Sequence, residues 1–241
     1  MASNTTTPTI LSGNQESRVI CGVEFPLEKT ITASLIESAD GNPSQFRVSG
    51  VPAVFNQRSA LQGDFHYVIL PGAFSKALEN GRDKLFLWAH DFADPLARTS
   101  AGDLNIRETE NGIEFTAQLP ADDPINAHKV GLIQRGVVKQ MSFLAGIVED
   151  RWEIDPRDNM LICFLAELDL EEVSAVANPL FEGTSISAHV GSAISASREI
   201  MAARAAEARK RLTGASADDL CAQFEHNRRA HAQQLREIHY A

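Results

Sequence analysis

Over the first three quarters of the chain, apolar and polar residues recur with a period near two, which predicts strands rather than helices. Arg18-Val19-Ile20-Cys21-Gly22-Val23-Glu24-Phe25 and Phe46-Arg47-Val48-Ser49-Gly50-Val51 alternate or carry β-branched residues, with Gly and Pro around them. Leu104–Glu108 and Gly112–Leu119 alternate cleanly, and Glu110-Asn111-Gly112 between them is the strongest hairpin signal in the chain. Two helices are predicted to interrupt the strands. One follows Pro71-Gly72-Ala73-Phe74, runs from Ser75 to Glu79 and ends at Asn80-Gly81; the other spans Ile125 to Gln134 and stops at Gly136.

After Asn178-Pro179 the pattern changes. Ser185 to Ser197 is small and polar, and Arg198 to Arg211 is rich in Ala, Arg and Glu, with high helix propensity. Thr213-Gly214 breaks that helix, and Ser216, Asp218 and Asp219 start another, with Leu220, Phe224, His231, Leu235 and Ile238 on one stripe. The reading is a leader over 1–17 that is disordered, a main domain over 18–184, and a linker with a helical tail over 185–241. That tail either packs on its own domain or binds a partner.

Composition narrows the function classes. A chain of 241 residues with 44% hydrophobic content can bury a sizeable core. A net charge of -10 argues against nucleic acid as partner, since phosphates are bound by clustered Lys and Arg. No apolar run is long enough for a bilayer, so no membrane is expected. Cys21, Cys163 and Cys221 show no C-x-x-C spacing, which predicts reduced thiols rather than disulfides or zinc. No metal or other cofactor is expected.

The run Lys139-Gln140-Met141-Ser142-Phe143-Leu144-Ala145-Gly146 holds a hydroxyl inside an apolar, strand-like segment. Such a serine is either a satisfied core hydroxyl or a nucleophile on a rigid element. His90, ending Leu85-Phe86-Leu87-Trp88-Ala89, is a candidate base, and Glu172 a candidate orienting acid, which together make the parts of an acyl-transfer site. If Ile162–Val173 is a regular strand, Glu172 shares a face with Ile162, Phe164, Ala166, Leu168 and Leu170, while Glu167, Asp169 and Glu171 lie on the other. An inward carboxylate is costly unless paired, and an imidazole would satisfy it. The alternative is a strand that ends at Leu170, leaving Glu172 on the surface. His66, in a loop-like stretch beside Asp64, and His128, in the second helix, stay open as bases. There is no Gly-x-Ser-x-Gly elbow.

A collinear series of segments carries a family resemblance. It comprises Gly50–Asn56, Val68–Phe74, Leu87-Trp88-Ala89-His90-Asp91, Pro95–Thr99, the hairpin from Leu104 to Pro120, Met141-Ser142-Phe143, and Glu172-Val173-Ser174 through Pro179. Together they resemble the HK97-type prohead (capsid maturation) serine proteases of tailed bacteriophages. The family usually continues Ser-Phe-Gly-Phe, whereas here Leu144 follows Phe143 and the small residues come at Ala145 and Gly146.

The resemblance implies a mainly β fold with flanking helices (α+β), a compact β-barrel similar to herpesvirus assemblin. It implies Ser142 as nucleophile, His90 as base and Glu172 as the acid, with Asp169 as the fallback for the third member. Arg98 is one conceivable oxyanion donor, though a solvated loop arginine is its plainer reading. The implied partners are the major capsid protein and the scaffolding region, with a possible homo-oligomer. The implied setting is the host cytoplasm, inside the immature capsid, with self-cleavage and a removable tail from Arg198. The alternatives are an inactive capsid assembly or scaffolding module that kept the fold, and an esterase-like hydrolase of small substrates.

Overall fold

A computed structural model describes residues 19–21, 31–37, 43–177 and 188–214. The alternating segments form ten strands: β1 (Val19–Cys21), β2 (Ile31–Glu37), β3 (Pro43–Val54), β4 (Phe65–Ile69), β5 (Leu85–Trp88), β6 (Asp91–Arg98), β7 (Leu104–Glu108), β8 (Gly112–Pro120), β9 (Gln140–Ile154) and β10 (Leu161–Val176). The helices are α1 (Ser75–Glu79), α2 (Pro124–Gln134) and α3 (Ala188–Thr213). The expected stops hold in detail. Gly81 and Gly136 take φ of 68° and 72° just past α1 and α2, and the Asp123 side chain caps α2 through Ile125 N–H at 2.8 Å. The helix expected after Ser216 and the leader over 1–17 lie outside the described residues.

The strands make two sheets, one in the order β1-β9-β10-β5-β6 with β4 also on β10, the other in the order β2-β3-β8-β7. This corrects the expected barrel. Among the described residues neither sheet closes on itself: β1 and β6 end one, β2 and β7 the other. The two sheets meet through the rings of Phe86 of β5 and Phe115 of β8, with centroids 4.8 Å apart. In the hairpin of β7 and β8, Gly112 passes so close to β3 that a Cβ there would sit 2.0 Å from the Ala53 carbonyl oxygen.

β10 organises the larger sheet. It is antiparallel to β9 along its length and parallel to two strands in turn, β4 at Leu161–Leu165 and β5 at Glu172–Ala175. Between those stretches the register against β9 shifts three times: at Ala166, then between Glu167 and Leu168 where β9 skips Val148, and again at Glu171. Where β4 departs, Leu70 N–H donates to Leu165 O at 3.0 Å and Leu168 N–H donates to Ala73 O at 2.8 Å. The exchange of neighbours therefore leaves these backbone groups paired.

These slips overturn the single-face reading of Ile162–Val173. Leu161, Cys163 and Leu165 point into the main core, then Leu168 and Leu170, and after Glu171 the core residues are Val173 and Ala175. Opposite them on β9 lie Ala145, Phe143 and Met141. Burying side chains such as Phe143, Phe74 and Phe86, all 0% exposed, stabilises the fold by roughly 1.5–3 kcal/mol each.

α3 is part of this core. Met201, Ala205 and Ala208 lie on one helical stripe and are buried in it, and Arg209 is 2% exposed. Arg204 is ion-paired with the buried Asp150, which also accepts from the Trp152 indole N–H at 2.9 Å. Arg209 reaches Asp64 at 3.4 Å.

Candidate active site

His90 is placed by a strained turn. Trp88 pairs with Asp91, so β5 and β6 are joined by the two-residue loop Ala89-His90. Both residues have positive φ, 53° and 60°, as a type I′ hairpin turn demands. Neither is glycine, so each costs of order 1 kcal/mol or more, and strain of this kind collects at functional sites. The turn is held from below. Ala89 N–H donates to Ala175 O at 3.0 Å, and His90 N–H donates to the Ser174 hydroxyl at 3.0 Å.

The turn aims the imidazole at β10. His90 Nδ1 lies 2.6 Å from Glu172 Oε1, and the other carboxylate oxygen accepts from Ser174 Oγ at 2.5 Å. Glu172 and Ser174 are both 0% exposed. With Glu172 ionised, Nδ1 carries the ring proton, which makes Nε2 the lone-pair nitrogen. A carboxylate so far from water, bonded on both oxygens, binds a charged imidazole more strongly than an exposed one would.

Ser142 comes to the same place by strand register. It is the Cα partner of Ser174, and Leu144 is the partner of Glu172. Directly opposite residues share a face with Cβ atoms about 5 Å apart, and diagonal neighbours such as Ser142 and Glu172 are about 7–8 Å apart. Ser142, Ser174, Glu172 and Leu144 thus share one face, and Ser142 is 4% exposed. The face is the one opposite the main core, because the bulge at Glu171 puts Glu172 across the sheet from Leu170. Its wall is apolar: Leu144 and Leu87, the partner of Ser174 on β5, are both buried. Leu144, which follows Phe143, is the Cα partner of Glu172 at the edge of the bulge at Glu171.

The remaining candidates fall elsewhere. Asp169 is ion-paired with Arg82, and the oxygen beside His90 Nδ1 is Glu172's. Arg98 is tied to Asp83 by its Nε at 2.6 Å. Asp83 also accepts from the Ser100 amide at 2.9 Å, the largest of several bonds that hold its carboxyl well below the usual range. His66 lies on β4, not in a loop, with Nδ1 2.8 Å from Ser59 O. His128 is exposed on α2. Lys84, just before β5, is buried with Nζ donating to Arg82 O at 2.9 Å and to Asn80 at 3.2 Å; desolvation, then Arg82, pushes its ammonium below the ordinary lysine range.

Ser174 is the residue that sequence reasoning passed over. It stands in the Glu172-Val173-Ser174 segment, two positions from Glu172 on one strand face, and that spacing was the available signal. Among the described residues, no group of three or more His, Cys, Asp or Glu is placed to hold a metal ion. No helix among them is long and apolar enough to cross a membrane.

Neither a search of curated proteins nor one of solved structures finds a match. A family-wide sequence model described as caudovirus prohead serine protease matches residues 33–199, a stretch holding His90, Ser142, Ser174 and Glu172 and reaching into α3. With well over half of the chain matched, this protein belongs to the caudovirus prohead serine protease family.

Proposed function

We propose that the chain is a serine endopeptidase that cleaves capsid and scaffolding proteins inside the immature phage shell, with Ser142, His90 and Glu172 as its catalytic triad. The observation that carries this reading is the 2.6 Å contact between His90 Nδ1 and the buried Glu172, one strand from Ser142. Ser142 Oγ attacks the peptide carbonyl carbon while His90 Nε2 accepts its proton. Nε2 then delivers that proton to the leaving amine, and water, activated by the same nitrogen, releases the acyl group. Glu172 fixes the tautomer and stabilises the imidazolium formed in both steps. The family supports a capsid maturation role; the substrates and the three assignments are our reading.

Processing of the protease itself fits the same reading, with one restriction. Loss of the chain from Arg198 onward would strip Met201, Ala205 and Ala208 from the core. Self-cleavage compatible with an active product therefore removes chain beyond Thr213.

Co-expression with the cognate capsid protein tests the proposal by intact mass. Wild type shortens the capsid protein; Ser142→Ala and His90→Ala leave it whole. Uncleaved capsid protein in all three samples rejects the protease reading.

A further inference from the structure

We infer that Ser174 is a positioning residue of the active site, a group that ties the base-bearing turn to the orienting carboxylate. The inference rests on the triad proposed above and deepens it. Ser174 has one hydroxyl proton and two acceptor lone pairs. The proton goes to Glu172 Oε2 at 2.5 Å, and a lone pair takes the His90 amide at 3.0 Å. Glu172 Oε1 is left to meet His90 Nδ1 at 2.6 Å. Backbone amide, hydroxyl, carboxylate and imidazole thus close a ring that starts and ends on His90.

That ring has two jobs. Ala89 and His90 hold positive φ without being glycine, so the turn needs external bonds to stay in place. The His90 amide bond to Ser174 is one of them. Second, Glu172 is fully buried and fixed through both oxygens, so its carboxylate plane cannot rotate away from the ring nitrogen. Ser174 also stands directly opposite Ser142, so a shift in the turn changes the approach of imidazole to hydroxyl. Ser174 touches neither substrate nor reacting atoms in this scheme; it acts through His90 and Glu172.

The test uses the full chain as wild type, Ser174→Ala, Ser174→Thr and Ser142→Ala, each treated with an alkyl fluorophosphonate. The rate of adduct formation is followed by intact mass against reagent concentration, to separate the maximal rate from affinity. The low-field proton resonance of His90 Nδ1–H is recorded in parallel. Ser174→Ala is expected to lower the maximal rate about tenfold or more, the loss of one charge-assisted bond, with affinity unchanged. The resonance should move or broaden, and Ser174→Thr should restore both. Unchanged rate and resonance in a folded Ser174→Ala overturn the inference. If Ser174→Ala does not fold, hydrogen exchange in wild type decides: a protected His90 amide supports the bond to Ser174, and a rapidly exchanging one overturns it. Absence of any adduct at wild-type Ser142 sinks the triad instead, a distinct result.

Discussion

His90 Nδ1 and Glu172 Oε1 are 82 residues apart in the chain and 2.6 Å apart in space. The pair orients the imidazole only while Glu172 is an acceptor at that oxygen. Glu172→Gln keeps the size but can present an amide N–H, which selects the wrong tautomer. Capsid-protein processing is expected to slow by about 10³–10⁴-fold with the fold intact by circular dichroism. A loss under tenfold would contradict the orienting role.

Ala89 tests the strained turn. Ala89→Gly fits φ of 53° without a Cβ penalty and should melt within a few degrees of wild type. Ala89→Val puts a β-branched side chain in the same left-handed conformation. It should destabilise by about 1–3 kcal/mol and displace His90, so activity falls along with the melting temperature. Equal melting of the two variants would show that the turn is unstrained.

Arg204 tests whether α3 belongs to the core. Its partner Asp150 is 1% exposed and faces Trp152 and Cys163. Arg204→Ala leaves a buried carboxylate without its cation, a change that costs about 3–5 kcal/mol. The urea midpoint should fall accordingly. Arg204→Ala with an unchanged midpoint would mean that the Arg204–Asp150 pair does not help to hold α3 on the domain.

Acid stability follows from depressed carboxyls. Asp155 is held well below the usual range first by the Arg157 side chain, then by the Arg157 amide, with Arg58 adding to it; Asp158 is lowered chiefly by Arg58. A carboxyl whose folded value is lowered binds protons more weakly than in the unfolded chain. Its contribution is complete above the unfolded value near ~3.9 and is lost as pH falls through the folded one. The urea midpoint should therefore decline steeply below about pH 4, and Asp155→Asn should flatten that decline. Identical slopes for the two proteins would contradict the assignment.

Much of the fold was legible because its signals are local. Leu104–Glu108 and Gly112–Leu119 alternate, and Gly81 and Gly136 mark helix ends, so β7, β8, α1 and α2 fall where the sequence puts them. The face of Glu172 was not legible. The register shifts between β9 and β10 arise where β4 gives way to β5, a long-range event that periodicity within Ile162–Val173 cannot show. Of the two readings left open, inward or on the surface, Glu172 takes the buried one, but on the face opposite Leu170. The turn at Ala89-His90 was hidden for a related reason: neither residue is a usual type I′ choice, and Ser174 and Ala175, far along the chain, help to hold it. The open sheets differ from the expected barrel because closure depends on edge pairing, which no single strand encodes.

The most direct measurement is the site of covalent capture. Treated with an alkyl fluorophosphonate and digested, the wild-type chain should carry a single adduct, on the peptide containing Ser142, and His90→Ala should carry almost none in the same time. An adduct on another serine, or equal labelling of Ser142 with and without the His90 imidazole, would contradict the account.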